Sequence, residues 1–208
     1  LTKGKGGRIA AFKDEDWVRA IRHSVGPDGR GLFIMPSAEY AHFSDADLGA
    51  IVAYLKTVPA VDRERVPTSY GPVSRALLTF STGKMIAAAA IDHINVKPPV
   101  VEKGVTVEYG RYVGAACIGC HGANFSGGKI DVGPPNWPPA ANLTPHPDGR
   151  LAKWSEADFI ATLRTAKRPD GTALNEVMPR AFGGMDDTEL KALWVYFKSL
   201  PSIGTGVR

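Results

Sequence analysis

This chain of 208 residues has only two cysteines. Small secreted scaffolds held by disulfides carry a much denser set, so Cys117 and Cys120 read as chemistry rather than as staples. Long hydrophobic runs are missing too. The longest, Met85 to Ile91, falls far short of the 18 or so residues that a membrane helix needs. Charge of one sign is nowhere massed: the net charge of +4 divides as +1 over 1–59, +2 over 60–104 and +1 over 105–208. Acids follow bases closely, as in Lys13-Asp14-Glu15-Asp16, which excludes the basic face of a nucleic-acid binder. The means to fold are present. Hydrophobic residues make up 44% and charged ones 22%, near globular averages, and the length suits one large domain or two small ones.

The chain repeats itself when Leu1 is laid on Leu143. Gly7-Arg8 then meets Gly149-Arg150, Asp14-Glu15-Asp16-Trp17 meets Glu156-Ala157-Asp158-Phe159, and Asp28-Gly29 meets Asp170-Gly171. Met35-Pro36 falls on Met178-Pro179 after a one-residue slip that closes before the next helix. So long a period excludes a solenoid and predicts two copies of one domain. The second copy is preceded by a segment containing Cys117-Ile118-Gly119-Cys120-His121, which has no counterpart before the first. The expected organisation is therefore the distal half of a first domain over 1–60, an interdomain linker with a short helix over 61–104, and a complete domain over 105–208. On this reading the given sequence opens in the middle of its first domain.

Apolar residues at i, i+3, i+4 and i+7, such as Leu48, Ile51, Val52, Leu55 and Leu190, Leu193, Trp194, Phe197, predict amphipathic helices. Acidic first turns and caps place them over 14–25, 44–58, 155–167 and 186–200, with Pro59 and Pro201 as stops. Further helices are expected over 107–120 and 73–79. Gly110 and Gly114 on the former would let another helix cross closely. No alternating strand pattern competes, so the fold class is all-α with large loops, 133–145 reading as a long shaped one.

Cys117, Cys120 and His121, at i, i+3 and i+4, share one face of a helical turn. Two thioethers there can fix a haem edge while the imidazole reaches the iron, which is the c-type haem attachment pattern. A zinc site would need four ligands, and no second cysteine pair exists; a thioredoxin-like dithiol would want strands. Met178 is the candidate sixth ligand. It precedes Pro179 and a glycine-bearing loop rather than lying on a helix stripe, and Met35-Pro36 occupies its place in the repeat. Met185 reads as packing. The other nitrogen of His121 needs an acceptor, expected from a carbonyl of the Gly133-Pro134-Pro135 turn. Asn142, Trp137 and Arg150 are candidates for haem propionates. His23, His42, His93 and His146 read as ordinary surface or core histidines.

These residues resemble the class I cytochromes c. Cys117-Ile118-Gly119-Cys120-His121 resembles the family's haem-binding motif, and Met178-Pro179 with the 186–201 helix resembles its distal ligand and closing helix. Asn142-Leu143-Thr144 and Trp154-Ser155-Glu156 are similar to bacterial diheme cytochromes c that serve dehydrogenases or membrane respiratory complexes. The resemblance implies a cytochrome c fold in two tandem domains, the first incomplete. It implies Cys117 and Cys120 as thioethers to haem c, His121 as proximal and Met178 as distal iron ligand, and Met35 as distal ligand of a second haem if an upstream segment exists. It further implies one-electron transfer with redox protein partners or a membrane respiratory or dehydrogenase complex, rather than an enzyme in its own right. The expected location is the periplasm or the extracytoplasmic face of a bacterial membrane. The competing reading is a haem enzyme, peroxidase-like or thiosulfate-oxidising, with an open iron site in the incomplete domain.

Overall fold

The structure, a computed structural model, describes residues 2–33, 35–64, 69–80, 86–95, 99–130 and 134–207. Leu1, Met85 and Gly133, used above, lie outside them. The regular structure of the described residues is helical; pairing outside helices is confined to isolated bridges between Val25 and Gly31, Gly128 and Ala140, and Lys167 and Ala173. The all-α expectation holds. Two compact units divide the chain, Leu1–Val100 and Val101–Arg208.

The first unit contains α1 (Asp14–His23), α2 (Ser37–Tyr40), α3 (Asp45–Thr57), α4 (Pro72–Phe80) and a 3-10 turn at Ala87–Ala89. Its core is Ile9, Trp17, Ile21 and Leu48, with Phe12, Met35, Tyr40, Ile51, Val52 and Leu55 packed against it. Ser44 starts α3 by accepting the Asp47 N–H at 3.0 Å, satisfying one of the donors that a helix start leaves unpaired.

The second unit contains α5 (Val107–Gly114), a 3-10 turn at Ala115–Cys117, α6 (Ile118–His121), a 3-10 turn at Arg150–Lys153, α7 (Glu156–Thr165), a 3-10 segment at Arg180–Gly184 and α8 (Asp187–Ser199). The helix expected over 107–120 is thus broken in three, its middle tightened to 3-10 geometry over Ala115–Cys117, which ends on the first cysteine of the pair. Phe125, Leu151, Phe159, Leu190, Leu193, Tyr196 and Phe197 form the core. Each such side chain removed from water contributes roughly 1.5–3 kcal/mol. The crossing of α5 on α8 depends on Gly110. A Cβ there would stand 2.1 Å from the Ala192 carbonyl oxygen and 2.6 Å from the Tyr196 Cβ, so only glycine lets the two backbones come this close.

The internal repeat is a repeat of contacts as well as of letters. Ser24 and Ala166, 142 residues apart, end α1 and α7 in the left-handed region at φ 57° and 56°. Beyond them the Leu32 N–H donates to Ser24 O at 2.6 Å and the Leu174 N–H to Ala166 O at 2.8 Å. Arg22 bridges to Asp45 at 2.7 Å, and Arg164 to Asp187 at 2.9 Å. The Thr2 hydroxyl donates to Val61 O at 2.9 Å, and Thr144 to Ile203 O at 3.0 Å.

Candidate functional site

Cys117, Cys120 and His121 leave the end of α5 and the turn into α6 with all three side chains on the wall of one cavity of about 380 Å³, within the range of about 300–1,000 Å³ usual for cofactor sites. Gly127 sets what lies beyond them. It adopts φ +70°, and a Cβ on it would stand 2.4 Å from Ala140 O and 2.5 Å from Ala141 O. The 121–127 loop can therefore lie directly against 140–142. That approach brings the Ala141 carbonyl oxygen to 2.7 Å from His121 Nδ1.

A carbonyl can only accept, so Nδ1 of His121 carries the proton and Nε2 holds the lone pair. His121 is 8% exposed. Burial pushes its pKa down, and the Ala141 bond pulls the other way; the group that faces the cavity is a neutral imidazole of fixed tautomer, as iron ligation requires. The acceptor expected from the Gly133-Pro134-Pro135 turn is thus corrected to Ala141. A backbone carbonyl carries no residue signature, so nothing in the sequence singled it out.

Met178, half-buried, lines the same cavity. Its segment is tied down locally: Asn175 Oδ1 accepts the Val177 N–H at 3.0 Å, and Asn175 O accepts the Met178 N–H at 3.0 Å. Arg164 Nη1 donates to Gly183 O at 2.5 Å, and Arg180 Nη1 to Ala166 O at 3.4 Å, which stitches the segment to α7. Met185 packs against the core and also reaches the cavity. The rest of the wall is largely apolar, including Leu151, Phe159, Leu163, Phe182 and Phe197.

The propionate candidates part company. Arg150 is exposed and lines the cavity. Asn142 lines it too, but its carboxamide is spent within the chain: Nδ2 donates to Ile203 O at 2.7 Å, and Oδ1 accepts from the Thr144 N–H at 2.8 Å and lies 2.7 Å from the Thr144 hydroxyl oxygen. Asn142 is therefore corrected from a propionate partner to a loop brace. Pro134 and Trp137 are exposed, Trp137 at 40%, and neither is among the described residues that line the cavity. Met35 lies in the first unit, packed against the Ile9–Trp17–Ile21–Leu48 cluster. Sequence reasoning missed Arg168 and Thr162, both on the cavity wall. It also missed the tail of the second unit, where Val207 O accepts from Asn124 Nδ2 at 2.6 Å and the Ser126 hydroxyl at 2.7 Å, and Ser126 O accepts the Gly206 N–H at 3.1 Å.

The residues present fit haem c: a thiol pair, an oriented imidazole and a thioether line one cavity whose remaining wall is largely apolar. The comparisons agree. The family model for cytochrome c matches residues 107–201. The chain is 27% identical to the fructose dehydrogenase cytochrome subunit of Gluconobacter japonicus over 97% of its own length and 44% of that protein's. It is 26% identical to the cytochrome c subunit of a quinone alcohol dehydrogenase of Gluconobacter oxydans over 95% of the chain and 45% of the relative. A diheme cytochrome c-type protein of Cereibacter sphaeroides is 24% identical over 94% of the chain and 68% of the relative. The chain spans less than half the length of the first two. Residues 107–201 are a cytochrome c domain of the class I type, which implies covalent haem c.

Proposed function

We propose that the second unit passes single electrons through a haem c held by Cys117 and Cys120, with His121 as proximal and Met178 as distal ligand. When bound, haem c supplies an iron that takes up and returns one electron. The chain does the rest. Cys117 and Cys120 fix one edge through thioethers, Ala141 holds the His121 ring still so that Nε2 faces the iron, and Met178 closes the opposite side. Leu151, Phe159, Leu163 and Phe197 keep water from the site, and Arg150 supplies a cation at the wall for a propionate. The observation that carries this reading is that His121, with Nδ1 bonded to Ala141 O at 2.7 Å, and Met178 line one cavity.

A site closed on both sides suits an electron carrier or an electron-entry subunit better than a haem enzyme. The relatives are cytochrome subunits of fructose, alcohol and gluconate dehydrogenases, which supports a dehydrogenase or respiratory complex as partner and the extracytoplasmic side of a bacterial membrane as the place of work. No helix among the described residues is long and apolar enough to cross a membrane. Met35 belongs to the same proposal as the distal ligand of a second haem, whose thioethers would come from outside these 208 residues.

The test is a visible spectrum of the protein, oxidised, reduced, and reduced under carbon monoxide. The expected result is a low-spin c-type spectrum indifferent to carbon monoxide in the native chain, and carbon monoxide binding in Met178→Ala. Carbon monoxide binding by the native chain would refute closure by Met178.

A further inference from the structure

Thr162 is 2% exposed, lines the cavity from α7, and its hydroxyl has no hydrogen-bond partner among the described residues. Buried hydroxyls are almost always paired, and a helical threonine usually settles the matter by donating to the carbonyl four residues back. On this same helix Thr165 does so, to Ala161 O at 2.8 Å. Thr162 does not. The fold does not ask for a hydroxyl here either, because the equivalent position of the repeat is Ala20, which is buried at 7% exposure in the first unit. The surroundings on α7 are apolar, Phe159 and Leu163. Besides packing on α8 through Phe159, α7 is bound to the Met178 segment through Arg164–Gly183 and through the Leu174 and Arg180 bonds to Ala166 O.

We propose that Thr162 is a positioning residue whose hydroxyl donates to the Met178 thioether sulfur when haem c is in place. The proposal rests on Met178 as distal ligand. A hydrogen bond to the sulfur draws density from it and makes it a poorer donor to oxidised iron than an unbonded thioether would be. Thr162 thereby favours the reduced state and raises the midpoint potential.

The experiment compares Thr162→Val and Thr162→Ser with the native haem-loaded chain, measuring midpoint potential and the methionine–iron charge-transfer absorption. Valine keeps the shape and loses the hydroxyl; serine keeps the hydroxyl. The expected result is a lower potential in the valine variant, with the reduced-to-oxidised ratio at fixed applied potential falling several-fold, tenfold being 59 mV for one electron. The charge-transfer band shifts in the valine variant, and the serine variant returns both readouts toward native. An unchanged potential in Thr162→Val overturns the proposal, and so does a shift that serine fails to restore, since packing would then be its cause. A native chain that binds carbon monoxide or lacks the methionine–iron band would instead sink the distal-ligand reading, before either variant is compared.

Discussion

The two units carry the same closing helix and treat it differently. In α8, Ala192 is fully buried and Tyr196 is 8% exposed; at the equivalent positions of α3, Ala50 is exposed and Tyr54 is 69% exposed. The core stripe is alike in both, with Leu48 at 3% and Leu190 at 0%. The difference lies on the neighbouring face, which α5 covers in the second unit by way of Gly110. The stripe that makes each helix amphipathic packs it on its own repeat, whereas the small-residue face is buried only where another helix lies over it. Amphipathic pattern predicts the first kind of burial and is blind to the second.

The sharpest way to break the comparison is Gly110→Ala. The new Cβ meets backbone at 2.1 Å, so the α5–α8 crossing must open, at a cost of about 1–3 kcal/mol or more. Gly49→Ala on α3 has nothing within 4 Å of its new Cβ and is expected to stabilise by about 0.5–1 kcal/mol through helix propensity. Hydrogen exchange followed separately over 187–199 and 45–57 reads the two effects. Equal changes in both helices would erase the distinction.

A smaller contrast concerns the paired arginines. The Arg22 side chain is 9% exposed and donates to Asp45 and to Phe43 O at 2.7 Å, while that of Arg164 is 35% exposed. Arg22→Met should cost about 1–3 kcal/mol, chiefly by leaving a part-buried carbonyl without its donor. Arg164→Met should cost about 0.2–1 kcal/mol, as solvent screens its ion pair and can replace its exposed bond to Gly183 O. Denaturant titrations of the two variants, followed by the same exchange probes, give the ranking.

The smallest effect is one of pH and belongs to the first unit. His23 Nδ1 lies 3.1 Å from His93 Nδ1, and His93 Nε2 lies 2.7 Å from Ala88 O. Because the carbonyl accepts, His93 Nδ1 is left as acceptor and His23 Nδ1 as donor. Burial, then His93, then Arg22 push the His23 pKa below 6.5. A histidine depressed in the folded state contributes stability that is fully present above its unfolded pKa and is lost as pH falls through the folded one. Exchange over 86–95 should accelerate, beyond its intrinsic pH dependence, between pH 7 and 5 in the native chain and lose that dependence in His23→Asn.

How much could be read beforehand follows the same division. Caps are local, so Ser44, Ser155 and Asp186 announced the starts of α3, α7 and α8 to within a residue. The cysteine–histidine spacing and the duplicated Met-Pro are local as well, and the structure brings Cys117, Cys120, His121 and Met178 to one cavity. What stayed hidden depends on segments distant in sequence. Ala141 serves through its carbonyl, Asn142 turns out to brace Ile203, and the Thr162 hydroxyl is buried without a hydrogen-bond partner among the described residues. The His23–His93 pair joins residues 70 apart with no motif between them.

The tail bonds of the second unit have a consequence for the order of events during synthesis. Asn124, Ser126, Asn142 and Thr144 brace the loops around His121, and their partners are Ile203, Gly206 and Val207. Those partners leave the ribosome long after Cys117 and Cys120. Until those partners are in place the loops around His121 lack these braces, so attachment of the macrocycle can precede the locking of the pocket around it.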